Sequence, residues 1–266
     1  MEHSSVGRYT NLFRFVSNWQ AHFIQKLNKE YKPIEVTTRG NRITFSVPTW
    51  SLYMVFKEIF MSDFYRIDEL VKLLPANPTI IDIGGNAGYF NMMLFSQIKD
   101  AKVFAYEPII ENCSLFRENV RRNTITKDKI VVHNMAVTGS PVEEVTIYKE
   151  VENENSVTAS IYTDFADHNH SVIKVKAITL QQIIELNNIE SIELLKLDCE
   201  GSEYPIIYET PKYIWDKVKM VFMEDHPLDK DKRNHQSALA FIEALGFTCS
   251  SLPADNGCFG VLAVRR

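Results

Sequence analysis

Residues 80–90 read IIDIGGNAGYF, and Glu107 closes the apolar run that follows, KVFAYE. Few folds satisfy that pairing. Residues 79–83 have the unbroken, β-branched character of a strand buried on both faces of a parallel sheet. The strand stops at Gly84-Gly85, and an amphipathic stretch is expected to begin near Gly88. A strand, a glycine turn and a helix make a cradle. Backbone can approach a ligand closely there, and the first N–H groups of the helix are free to meet it. Glu107, one strand later, is placed to accept two hydrogen bonds from a ribose diol. The pattern predicts an α/β fold with a doubly wound, mostly parallel sheet.

Two kinds of ligand suit such a cradle, a dinucleotide and S-adenosylmethionine. The dinucleotide fingerprint is G-x-G-x-x-G. With Gly84 as its first glycine, the third and sixth positions fall on Asn86 and Tyr89. A side chain at the third position blocks close approach of a pyrophosphate. A G-G-N-A-G turn that holds the methionine part of S-adenosylmethionine has no pyrophosphate to admit. The cofactor contacts expected from this region are Asp82, Gly84, Gly85, Asn86, Gly88, Tyr89, Glu107 and Pro108. An NAD-dependent oxidoreductase stands as the alternative that Asn86 and Tyr89 disfavour.

Length and charge narrow the partners. The 266 residues suffice for one large α/β domain with a cap, and a hydrophobic content of 45% is that of a globular protein with a full core. Net charge is −5, and Arg117, Arg121 and Arg122 fall at helical spacing and read as a solvated face. Phosphate backbones call for clustered Lys and Arg. No nucleic acid is therefore expected, and a small-molecule or glycan acceptor is. Cys113, Cys199, Cys249 and Cys258 show no C-x-x-C spacing, which argues against zinc, and a chain of this length needs no disulfide staples. The first residues lack an apolar signal core, and no stretch approaches the ~20 apolar residues of a membrane span. A cytoplasmic protein with reduced thiols is expected.

Residues 8–31 read as one helix, with Leu12, Phe15, Val16, Trp19, Phe23 and Leu27 on one face. That stripe suits packing on the main domain, a lid over a substrate cleft, or a homo-oligomer contact. Residues 33–47 read as a hairpin turning at Arg39-Gly40-Asn41, and helices are expected at 50–60 and 66–74. Pro75-Ala76-Asn77-Pro78 punctuates the chain. Residues 1–75 are therefore read as an N-terminal cap and residues 76–266 as the catalytic domain. Strands are expected at 79–83, 102–106, 130–134, 192–198 and 218–223, alternating with helices at 88–98, 109–122, 180–186, 203–208 and 234–245. Two more strands are read within 142–178, with a polar loop on the substrate side over 152–170. Strands at 246–251 and 258–264 close the sheet as an antiparallel hairpin.

The fourth core strand ends in KLDCEGSE, residues 196–203. Ligands of open α/β sheets sit beyond the carboxyl ends of the strands, so Asp198 is expected to point into the cleft. Glu203 reads equally as a cap of the next helix, and Glu200 as solvated. Together IDIGGNAGYF, YEP at 106–108 and KLDCEGSE resemble the successive motifs of the FkbM family of S-adenosylmethionine-dependent methyltransferases, over roughly residues 75–264. The resemblance implies a class I methyltransferase fold and methylation of hydroxyl groups on sugars, glycolipids or secondary metabolites. Carried onto this chain, it implies that Gly84, Asn86 and Gly88 line the cofactor, that Glu107 holds its ribose and that Asp198 lies by the methyl donor. Gly85 stands where many members have alanine. The first 75 residues fall outside the resemblance.

The third strand should end near the adenine, with Asn134, Met135 and Ala136 as candidates there. The fifth strand ends MVFMEDHP, which is expected to bring Glu224, Asp225 and His226 to the edge that holds Asp198. His226 is the candidate general base, since imidazole titrates near working pH, and Asp198 and Glu224 complete the catalytic set. The alternative is Mg²⁺ held by Asp198, Glu224 and Asp225, acidifying a hydroxyl by coordination. The metal-free version is favoured. The expected function is O-methylation with S-adenosylmethionine as donor. A degenerate relative that binds the cofactor without turnover is the third reading.

Overall fold

The structure is a computed structural model and describes residues 5–149, 159–162, 171–254 and 257–265. Most of the loop expected at 152–170 lies outside the described residues.

The helix expected over 8–31 is two helices, α1 (Ser5–Phe15) and α2 (Gln20–Leu27). The break has a local cause. Val16 bridges Thr38, and both the N–H and the hydroxyl of Ser17 donate to the Thr37 carbonyl. Asn18 donates to the Glu35 carbonyl and accepts from the Thr37 N–H. A strand edge thus offers residues 16–18 better partners than another helical turn would. That edge is β1 (Ile34–Thr37), paired antiparallel with β2 (Thr44–Val47) as the hairpin pattern predicts. A two-stranded hairpin is marginal alone. Here the outer edge of β2 is satisfied by two amide side chains. Asn123 exchanges two hydrogen bonds with the backbone of Thr44, and Asn119 accepts from the Ser46 N–H. Helices α3 (Trp50–Phe60) and α4 (Ile67–Leu73) follow where expected, the first capped by the Thr49 hydroxyl.

The core alternates as predicted. Its elements are β3 (Thr79–Ile83), α5 (Tyr89–Gln97), β4 (Lys102–Tyr106), α6 (Ile110–Arg121) and β5 (Ile130–His133). After a three-stranded insertion come α7 (Leu180–Leu186), β9 (Leu194–Leu197), α8 (Glu203–Glu209), α9 (Lys212–Trp215), β10 (Met220–Asp225) and α10 (His235–Ala244), then β11 (Phe247–Pro253) and β12 (Phe259–Arg265). The insertion holds β6 (Ala136–Thr138), β7 (Glu144–Lys149) and β8 (Ser171–Thr179), in the order β6-β8-β7. Strand β6 and the four-residue α9 are too short to leave a periodic signal. The main sheet runs β11-β12-β10-β9-β3-β4-β5, with only β12 antiparallel to its neighbours on both sides. This is the doubly wound, mostly parallel sheet with a closing antiparallel hairpin.

Alternation along the strands sends side chains to two cores. Ile80 joins Phe45, Phe56, Phe60, Leu70, Phe90 and Phe222 on one face, a cluster that runs without a break into α1 and the hairpin. Ile81 and Ile83 join Leu195, Leu197, Ile206, Trp215 and Val221 on the other. The stretch from Gly88 is not amphipathic as expected. Residues from Tyr89 through Ser96 are all buried, because α5 lies between the sheet and the N-terminal segment.

Candidate active site

Strands β3 and β9 are neighbours, and the chain winds away from them in opposite directions, so their carboxyl ends open a crevice. Two glycines are required there. Gly84 has φ +79°, and a Cβ on it would sit 1.6 Å from the Asp198 carbonyl oxygen. Gly88 has φ +83°, and its Cβ would fall 2.2 Å from the Phe116 ring. The N–H groups of Gly84 and Gly85 both donate to the Tyr106 carbonyl, and Lys196 fixes the turn from below. Its buried ammonium donates to the Gly84 carbonyl at 2.8 Å and pairs with Asp82 at 3.1 Å and Asp198 at 3.4 Å. Burial works against that charge, but Asp82 and Asp198 outweigh it and raise the Lys196 pKa. The KLD run held this residue in plain view. A lysine inside an apolar strand is almost never buried without partners, and that was the signal to follow.

Glu107 is 4% exposed and lines the crevice. It accepts the Asn86 N–H at 2.7 Å and the Ile109 N–H at 2.8 Å, one on each carboxylate oxygen. Burial pushes its pKa up to about 7, against the pull of those two donors. Asn134 donates to the carbonyls of Glu107 and Pro108 and so ties the loop after β4 to the loop after β5. Met135, Ala136 and Val137 continue the wall with apolar surface. Gly84, Asn86, Tyr89, Glu107, Pro108, Met135, Ala136 and Asp198 all line one cleft of about 1900 Å³. Asp82, Gly85, Gly88 and Asn134 stand behind that wall, where they shape it.

At the far side of the turn Asp198 accepts a hydrogen bond from the Tyr65 hydroxyl. Burial raises its pKa, but Lys196, His226 and Tyr65 more than offset this, so the carboxyl stays below the usual range. Nothing in the sequence around Tyr65 marks it as part of a site. It arrives there because its ring packs edge-on against Phe90 and Phe222.

Glu224 and His226 come to the same place from the end of β10, and Glu200 joins them from the loop after β9. Nε2 of His226 is 3.5 Å from Glu200 and 3.7 Å from Glu224, and its Nδ1 is 3.2 Å from Glu203. Burial alone would lower the His226 pKa, but Glu203, Glu200 and Glu224 raise it well above its ordinary value. The three carboxyl groups around the imidazole thus favour its protonated form. Glu200 beside it is also held toward its protonated form. Burial raises its pKa to about 8, with Asp198 and Glu203 adding to the effect and His226 opposing it. Glu203 does not cap the helix it opens; its carboxylate turns back into the preceding loop and accepts the N–H groups of Cys199 and Gly201.

Asp225 does not converge with the others. Successive side chains of a strand alternate, so it lies on the opposite face of β10 from Glu224. There it accepts from the Tyr204 hydroxyl and lies 2.8 Å from His235 Nδ1. The cation set of Asp198, Glu224 and Asp225 is therefore not assembled. Among the described residues, the groupings that do come within 4.8 Å are Asp198-Glu200-His226 and Glu224-His226-Cys258.

A family model for the "Methyltransferase FkbM domain" matches residues 82–249. The chain belongs to the FkbM methyltransferases. This FkbM methyltransferase is similar to Methyltransferase 1 of Beauveria bassiana, with 23% identity over 231 residues, spanning 80% of the chain and 89% of that protein. It is also similar to Methyltransferase sdnD of Sordaria araneosa, with 24% identity over 200 residues, spanning 64% of the chain and 73% of that protein. Among solved structures, the methyltransferase FkbM of Methylobacillus flagellatus superposes with a TM-score of 0.47 at 15% identity, over 80% of this chain and 53% of that one. Among the described residues of the FkbM chain, no helix is long and apolar enough to cross a membrane.

Proposed function

We propose that the enzyme moves a methyl group from S-adenosylmethionine to a hydroxyl of a small molecule or glycan. The observation that carries this reading is the pairing of Glu107 with Asp198 across a glycine turn that admits no Cβ. The residues present suit the cofactor. Glu107 would accept from its ribose, Gly84 and Asn86 would border its methionine part, and Met135 to Val137 would face its adenine. When bound, the cofactor supplies a methyl group already activated by a sulfonium. What remains for the chain is alignment, worth up to ~7–11 kcal/mol, and removal of one proton.

Asp198, held by Tyr65 and Lys196, would orient the acceptor hydroxyl. Glu200 or Glu224, ionised with the help of the charged His226 between them, would take its proton and become a neutral carboxyl. Residues 1–75 would close the cleft from above, since Trp50, Met54, Glu58 and Tyr65 all line it. We place the protein in the cytoplasm and favour a mechanism without Mg²⁺.

Calorimetry with S-adenosylhomocysteine and with NAD tests the cofactor. Micromolar NAD binding without S-adenosylhomocysteine binding would sink the proposal. Release of S-adenosylhomocysteine against a panel of glycans and hydroxylated metabolites tests the transfer. Turnover should survive EDTA, and loss of turnover restored by Mg²⁺ would remove the metal-free mechanism.

A further inference from the structure

We infer that the outer arm of the cleft is an oxyanion subsite. Arg8 and Lys57 build it, with Lys26 behind them, and it would dock a phosphate- or carboxylate-type group carried by the acceptor. The identity of the occupant as the acceptor rests on the methyl-transfer reading; the anion binding itself does not.

Two nearby arginines are spoken for. Arg66 pairs with Glu69 and Arg14 with Asp68, while the Asp63 carboxylate accepts the Ile67 N–H. Arg8 and Lys57 also line the cleft, beside Trp50 and Ser51. Among the described residues no carboxylate lies within 4.0 Å of the charged atoms of Arg8, Lys26 or Lys57. The Arg8 Nε is buried with no hydrogen-bond partner. An unmet buried donor on a guanidinium is costly, and a ligand acceptor would remove that cost.

The ammonium groups are also positioned. Lys57 Nζ lies 5.4 Å from the Trp50 ring centre and 5.3 Å from that of Tyr53, and Lys26 Nζ lies 5.1 Å from that of Tyr9. Ring faces hold a cation in place without neutralising it. The mutual repulsion of the cluster shows on Lys57 itself and on His22 beside it. Burial, then Arg8 and Lys26, lower the Lys57 pKa. His22, whose Nδ1 is 2.7 Å from the Tyr53 hydroxyl, is lowered to about 4 by burial and then by Lys26, Lys57 and Arg8.

The inner end of the same cleft has the opposite sign, with Glu58, Asp198, Glu200 and Glu224. A molecule that offers a hydroxyl to the acids and an oxyanion to the cations matches both ends. A neutral acceptor would leave the cations unpaired.

The test is calorimetric titration of the full chain with sodium pyrophosphate and, separately, sodium citrate at fixed ionic strength. Saturable one-site binding is expected for at least one of them. Pyrophosphate alone would point to a phosphorylated acceptor, and citrate alone to a carboxylated one. The Arg8→Gln/Lys57→Gln double variant should bind at least about tenfold more weakly, and Lys57→Arg should retain binding. Histidine NMR adds a local readout, because bound anion should move the His22 ring signals in the wild type and leave them still in the double variant. Binding should persist in saturating S-adenosylhomocysteine, and the double variant should hold S-adenosylhomocysteine as the wild type does. Absence of saturable binding, equal binding by the double variant, or displacement by S-adenosylhomocysteine would each overturn the subsite. Anion binding without any S-adenosylhomocysteine binding would instead overturn the methyl-transfer reading and leave the subsite standing.

Discussion

Glu107 sits 4% exposed with both carboxylate oxygens engaged, and burial holds its pKa up to about 7. A ribose hydroxyl donates to a carboxylate better than to a carboxylic acid, so cofactor binding should lower that pKa and expel a proton. Affinity for S-adenosylhomocysteine should therefore rise with pH toward 7 and then level off. Calorimetry in buffers of different ionisation enthalpy would show the released proton, and a pH-independent affinity would contradict the assignment. Glu107→Gln should remove the pH dependence and weaken binding by about 1.5–3 kcal/mol, the scale of a hydrogen bond to a charged group. Tyr65→Phe probes the other end of the turn. It takes one donor from Asp198 and should lower kcat while cofactor affinity stays near wild type; a fall in affinity alone would make Tyr65 a packing residue. At this scale the sequence was uneven. Glu107 and Asp198 were legible because each ends a strand inside a motif. Tyr65 was not, because a hydrogen bond across 133 positions leaves no local pattern. Asp225 misled for a simpler reason, since adjacency in sequence means opposite faces in a strand.

The hairpin of β1 and β2 is tied to helix α6 and to the residues just past its end. Asn123 closes a two-bond ring with the Thr44 backbone, and Asn119 joins Ser46 to the Ala87 carbonyl in the turn. Replacing Asn123 by Ala strands a donor and an acceptor on the strand edge, at a cost of about 1–3 kcal/mol. Thermal unfolding should show that loss, and an unchanged melting temperature would mean that water serves the edge as well. Every strand of the main sheet was readable in the sequence, even the four-residue β5 and β9, because an apolar run bounded by turn signals marks a buried strand. Three misreadings share one cause, tertiary context overriding local pattern. The helix over 8–31 breaks where a strand edge outbids it, α5 is buried all round, and β6 exists only because β8 pairs with it. None of these is encoded within the segment concerned.

At the level of the whole molecule, one apolar cluster runs from Leu12 in α1 through Phe45 and Phe60 to Phe222 in the sheet. The N-terminal segment and the sheet should therefore unfold together. Trp19 and Trp215 lie in different halves of the chain, and single-tryptophan variants reporting on each should give coincident thermal transitions; two separated transitions would show an independent cap. Stability of the cofactor-free protein should also depend on pH. The folded-state pKa values of Glu107 and Glu200 are raised, to about 7 and about 8, so the folded state holds their protons more tightly than the unfolded chain does. Their contribution is fully present below the ordinary carboxylate range and is lost as pH climbs through those values. Melting temperature should fall between about pH 5 and pH 8 at constant ionic strength, less steeply in Glu200→Gln. Lys196 bears on a different property of the assembly. One ammonium joins β3, β9 and the glycine turn that follows β3 through contacts made wholly within the chain. A cradle already set before its ligand arrives spends no ordering entropy on capture. Cofactor exchange should then be a single fast step whose rate scales with solvent viscosity, and slow conformational phases, if turnover shows any, belong to the acceptor side.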